Sequence, residues 1–145
     1  MVTLFHVDYE NHPKLGRDLR SPMTGEMSAL ILKDGTRTSA ERKQIKLLED
    51  AEAMRLSKAL FEQGGYVRVA EIEGDMNQAY TATQNGVLSD SWSQEPPEGV
   101  KTFEPSFHLH DGKRYGRRST DVGDLMQQDG RYFRVASIGF TEITF

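Results

Sequence analysis

RRSTDVGDLMQQDGRYFRVASIGF, residues 117–140, is laid out as two strands with their turns marked. Val122 to Gln127 and Arg131 to Ile138 are the strand candidates, joined through Gln128-Asp129-Gly130. Asp-Gly between two such runs favours the left-handed backbone that a tight hairpin reversal requires. Phe133 and Val135 alternate with Tyr132, Arg134 and Ala136, as the two faces of a strand demand. Gly139 permits a second bend, after which Phe140 and Ile143 can return to the core. Ahead of the first strand stand Ser119, Thr120 and Asp121, whose short polar side chains bond nearby backbone amides and so cap a turn. Asp124, after Gly123, is placed to fix the same turn.

Working outward from this hairpin, Tyr66 to Ile72 reads as a strand with Val67 and Val69 on one face. Asp75 then opens a short helix, with Gln78 three residues on as its reciprocal cap. Met76, Ala79, Tyr80 and Thr83 recur on one side of that helix, and Asn85-Gly86 ends it. The clearest helix starts at Thr38, where Thr38-Ser39-Ala40-Glu41 has the capping-box spacing, and runs to Gln63 before Gly64-Gly65. Ile45, Leu48, Leu56, Ala59 and Leu60 share one side; Leu47, Ala51, Met54 and Phe61 share another. Two apolar sides imply packing on more than one element, or a break near Glu49-Asp50. Val2 to Tyr9 is a strand with Thr3, Phe5, Val7 and Tyr9 on one face. Residues 10–26 read as a long connection, and Met27 to Lys33 as a short apolar run, a strand or one helical turn, with the strand favoured. Val100 to His110 holds a further strand, which Pro105 makes an edge or a broken one. The expectation is a single α+β domain over residues 1–145, with an antiparallel sheet of about five strands and one long and one short helix packed on it.

Composition narrows the classes of function. The chain has 145 residues and no cysteine, which removes disulfides, thiolate zinc sites and cysteine nucleophiles. It fits a reducing cytoplasm. No apolar run approaches the roughly 18 residues of a membrane span, and the N-terminus lacks the basic start and apolar core of a signal peptide. With a net charge of −4, a whole-molecule basic field for nucleic acid is missing. The charge is segregated, however. Glu71, Glu73, Asp75, Asp90, Glu95, Glu98 and Glu104 face only Lys101 in their stretch of chain. Lys113, Arg114, Arg117 and Arg118 follow against Asp111 alone.

The string Arg118-Ser119-Thr120-Asp121-Val122-Gly123-Asp124, then Asp129-Gly130-Arg131-Tyr132-Phe133-Arg134-Val135, then Ser137-Ile138-Gly139-Phe140 resembles the ending of the YodL-like family. That ending reads R-S-x-S-V-G-D, an apolar pair, a turn with Gly, Y-x-V and S-x-G-F. The similarity is close over the final hairpin and looser over residues 66–145, where Tyr66 to Ala70, Asp75, Ala79-Tyr80 and Trp92 also match its order. Residues 1–65, an N-terminal strand region and the long helix, carry no such match. Asp121 stands where the family pattern has its second serine. The resemblance implies a small protein of phages, plasmids or integrative elements, located in a bacterial cytoplasm, with no established reaction.

Candidate chemistry is sparse. No GxGxxG, Walker, GxSxG or HExxH pattern occurs, and no cofactor is called for. His108 and His110 share a strand face, which could begin a metal site, but no third ligand follows nearby. Ser119 and Thr120 are hydroxyls with no base assignable from spacing. Trp92, among polar residues, is a packing anchor if buried and a binding anchor if exposed. Two surfaces remain. The acidic residues Glu71, Glu73, Asp75, Asp90, Glu95 and Glu98, with Trp92, form one candidate contact face for a host or defence protein that handles nucleic acid, because carboxylates can imitate phosphate. The expected role is a non-enzymatic accessory protein, in its sharpest form an anti-CRISPR or anti-restriction inhibitor. The alternative is a nucleic-acid-binding regulator acting through Lys113, Arg114, Tyr115, Arg117 and Arg118, where cations meet phosphates and the tyrosine stacks on a base. A third reading is a hydrolase or transferase with an unrecognised site near Ser119.

Overall fold

The computed structural model describes residues 1–105 and 107–145, except the side chains of 107–110. The fold is α+β, built on a six-stranded antiparallel sheet. Its strands are β1 (Val2–Val7), β2 (Tyr66–Ile72), β3 (Val100–Thr102), β6 (Leu125–Gln128), β7 (Arg131–Val135) and β8 (Phe140–Ile143), in the order β3-β2-β1-β6-β7-β8. A separate two-stranded ribbon pairs β4 (Phe107–His110) with β5 (Lys113–Gly116). The hairpin at 128–131 closes through Asp129 and Gly130, both with positive φ (53° and 73°), the backbone of a two-residue I′ turn.

Among the described residues four helices accompany the sheet: α1 (Pro13–Arg20), α2 (Gly25–Ile31), α3 (Ser39–Glu62) and α4 (Met76–Ala82). Two of them correct the sequence reading. The connection over 10–26 contains α1, which begins on Pro13 at a position where the missing N–H costs nothing. Met27 to Lys33 is not a strand. Thr24 accepts from the Met27 amide and starts α2, which turns Met27 into the interior. Thr38 and Glu41 cap α3 reciprocally, and Asp75 and Gln78 cap α4 in the same way.

Both faces of the sheet are covered, which explains why β1 buries residues on each side. Val2 and Leu4 join Val69, Ala70, Ile72, Ala79, Ala82, Trp92 and Met126 on the α4 side. Val7 joins Leu19, Leu56 and Leu60 on the side of α1 and α3. The β1–β2 register slips between Leu4 and Phe5, where Val69 is the extra residue. Helix α3 is unbroken. Its buried residues, Ala53, Leu56, Ser57 and Leu60, lie in its second half, and of its other apolar residues Leu47 is exposed and Phe61 stacks on Phe145. Arg134 is buried in β7 and donates from Nη2 to the Leu19 carbonyl (2.9 Å), tying the end of α1 to the sheet.

Candidate functional site

The segment 117–121 is neither helix nor strand and belongs to neither sheet. Its backbone bonds go largely to side chains and to the end of α4. The Arg117 amide donates to Ser93 Oγ, and Asn85 Nδ2 donates to the Arg117 carbonyl. Trp92 Nε1 donates to the Arg118 carbonyl (2.9 Å). The Thr120 amide reaches the Thr83 carbonyl, and Gln84 Nε2 donates to the Thr120 carbonyl. Ser119 Oγ accepts from the Asn85 amide. Trp92 is therefore fully buried and is a packing anchor; it is withdrawn from the partner-contact face.

At the end of this segment Asp124 is completely buried and receives four donors. The Val7 amide and Arg118 Nη2 reach Oδ1 at 2.8 and 2.7 Å. The Asp121 amide and Arg118 Nη1 reach Oδ2 at 2.8 and 2.6 Å. Such a two-pronged guanidinium–carboxylate pair is among the stronger polar contacts available to a protein. Arg118 also donates to the Val7 and Ser119 carbonyls and lies over the Tyr9 ring. Its fork is thus committed internally, which removes it from a phosphate-binding set. Arg117 is half-buried, and burial followed by the neighbouring Arg118 charge lowers its pKa. Lys113, Arg114 and Tyr115 are exposed on the β4–β5 ribbon. His108 and His110 lie outside the residues whose side chains are described, and no group of metal-ligating side chains occurs among the described residues.

A histidine the sequence left unassigned completes the cluster. His6 Nε2 is 3.0 Å from Thr120 Oγ1, which is 2.8 Å from Thr83 Oγ1. Thr83 gives its own proton to the Ala79 carbonyl (2.8 Å). One order of donors satisfies all three contacts: Thr83 donates to the Ala79 carbonyl, Thr120 to Thr83, and His6 Nε2–H to Thr120. Asp124 Oδ2 also faces Nε2, at 3.8 Å, not the opposite ring nitrogen. In a nucleophile–histidine–carboxylate relay the hydroxyl and the carboxylate occupy opposite ring nitrogens, and the histidine accepts from the hydroxyl. Here the hydroxyl and the carboxylate meet the same ring nitrogen, and both His6 and Thr120 are buried. Burial lowers the His6 pKa to about 4, so the ring is neutral at ordinary pH. The cluster can fix a chain segment in place; Ser119 stands outside it.

The acidic residues behave differently. Among the described residues, none of Glu71, Glu73, Asp75, Asp90, Glu95 and Glu98 pairs with a cation. Asp75 caps α4, and Glu71 sits opposite Lys101 in the β2–β3 register without an ion pair. A groove of about 400 Å3 runs between α4 and the 86–99 loop, lined by Ile72, Glu73, Thr81, Ala82, Leu88 and Glu98. Of the acids, Glu73 and Glu98 line this groove; Glu71 alternates with Ile72 along β2 and so takes the opposite face of the sheet, and Asp90 and Glu95 are exposed on the 86–99 loop.

No protein-family model matches the chain, and neither a characterised protein nor a solved structure does so. No helix among the described residues is long and apolar enough to cross a membrane.

Proposed function

We propose that this chain is a non-enzymatic accessory protein of a phage or plasmid, of the YodL-like kind, that binds a host protein or a defence complex through its acidic face. The reading rests on one contrast. The buried carboxylate, Asp124, is fully partnered, while Glu71, Glu73, Asp90, Glu95 and Glu98 pair with no cation among the described residues. Uncompensated like charges of this kind steer and orient an oppositely charged partner. A protein that itself grips nucleic acid presents such a basic surface, which is the reason for placing the target among restriction or CRISPR complexes in the cell. The test is phage plating on bacteria carrying such a system. Expression of the protein should raise plating efficiency, and a variant with Glu71→Gln, Glu73→Gln, Asp90→Asn, Glu95→Gln and Glu98→Gln should not. Asp75 is left intact because it caps α4. Unchanged protection by the neutralised variant would overturn the acidic-face reading.

The second reading, a nucleic-acid-binding regulator, has one observation in its favour. Lys113, Arg114 and Tyr115 are carried on a two-stranded ribbon separate from the main sheet, a shape that fits a DNA groove. With Arg118 committed to Asp124, the surface is smaller than the sequence implies. DNA binding with a steep salt slope, abolished by Lys113→Ala with Arg114→Ala, would favour this reading over the first.

A further inference from the structure

The groove beside α4 has a chemistry narrower than the acidic face around it. Its wall is mixed: Ile72, Ala82 and the 62% exposed Leu88 supply the apolar part, and Asn77, Gln78 and Thr81 the uncharged polar part. Its rim carries two carboxylates, Glu73 and Glu98. The fold holds these side by side. The Glu73 amide donates to the Gly99 carbonyl (2.9 Å), and the Glu73 side chain lies along Gly99, with Oε2 3.5 Å from where a Cβ would stand. Glu98 is the preceding residue. Neither carboxylate has a cation within ion-pair distance among the described residues. Two carboxylates on the rim of one groove favour the approach of a cation.

A long basic side chain satisfies both halves of this surface at once, since its methylenes cover apolar atoms while its charged end stays at the rim. We propose that the groove receives an arginine or lysine side chain from a basic segment of the partner protein, with the stem on Leu88, Ile72 and Ala82 and the head between Glu73 and Glu98. This rests on the acidic face being the contact face and names the part of it that selects the partner. Thr81 lines the same groove and offers a hydroxyl to a guanidinium.

The probe is a fluorescent dodecapeptide containing Leu-Arg-Arg-Leu in a Gly/Ser background, with an analogue carrying citrulline, which keeps the shape of arginine without its charge. Anisotropy titration of the full chain should show the citrulline peptide binding at least about tenfold more weakly, which is one arginine contact's worth of discrimination. Glu73→Gln with Glu98→Gln should weaken the arginine peptide to the same degree. Leu88→Ser should weaken it while leaving its salt dependence unchanged. Equal binding of the two peptides, indifference to the Glu73→Gln/Glu98→Gln pair, or no binding at all would overturn the proposal. Self-association abolished by the same pair would assign the groove to a second copy of this chain and overturn it too. In the plating assay, loss of protection on neutralising Glu71, Asp90 and Glu95, with none on neutralising Glu73 and Glu98, would reject the groove and leave the acidic face standing. Loss in neither would reject both.

Discussion

Asp124 carries more of the fold than its size implies, because four donors from β1 and the 117–121 segment converge on it. Asp124→Asn replaces one acceptor oxygen by an amide that faces donors, and leaves the Arg118 guanidinium without its counter-charge. Removing one partner of a buried pair costs about 3–5 kcal/mol, and the part-exposed Arg118 places this variant near about 3. Urea unfolding should show it; a midpoint equal to wild type would mean that Arg118 finds another partner. His6 gives a prediction with a pH signature. Its pKa in the fold, about 4, lies below its ordinary 6.5 because burial disfavours the imidazolium. The unfolded chain therefore binds more protons between these values, and stability is complete above pH 6.5 and falls as the pH drops to 4. The loss is on the order of 3 kcal/mol across that window. His6→Gln keeps a donor for Thr120 and should flatten the slope between pH 6.5 and 4; an unchanged slope would place the titration elsewhere.

Among the elements, the two glycines of the final hairpin region separate turn chemistry from packing. Gly130 has φ 73° and open space where a Cβ would stand. Gly130→Ala should cost about 1 kcal/mol, the penalty for a left-handed alanine. Gly123 has φ 97°, and an added Cβ would lie 3.3 Å from Leu19 Cβ in the interior. Gly123→Ala should cost about 2–3 kcal/mol, and equal losses in the two variants would show that the contact with α1 relaxes freely. This difference also marks what was legible. The Asp129-Gly130 reversal was readable because its signal is local. The strand beginning read at Val122 starts at Leu125, because Val122-Gly123-Asp124 is a turn held by Val135 and by Asp124's distant donors. Met27 to Lys33 misread as a strand because a short apolar run has no period, and the deciding contacts are the Thr24 cap and Met27's distant burial. The acidic and basic segments were legible as charge. Arg118's commitment was not, since nothing in the spacing shows that Asp124 is turned inward and stripped of water.

For the whole molecule, the placement of charge sets up a contest between stability and binding. Glu73, Asp90, Glu95 and Glu98 are exposed, Glu71 is part-exposed, and none has an ion pair among the described residues, so each adds to the repulsion that the folded state must carry. Charges separated by less than a Debye length, about 10 Å at 0.1 M salt, repel appreciably, and added salt screens them. Replacing Glu71, Glu73, Asp90, Glu95 and Glu98 by their amides removes that repulsion and touches no hydrogen bond described in the fold. The neutralised chain should therefore melt higher than wild type in low salt, by an amount equivalent to tenths of a kcal/mol up to about 1, and the difference should vanish in 1 M salt. Thermal melts of both chains at two ionic strengths decide it. A lower melting temperature for the variant would mean that the carboxylates hold the fold together, and the argument for a partner would lose its premise. A higher one would show residues kept at a cost to stability, as expected of groups retained for a contact outside the molecule.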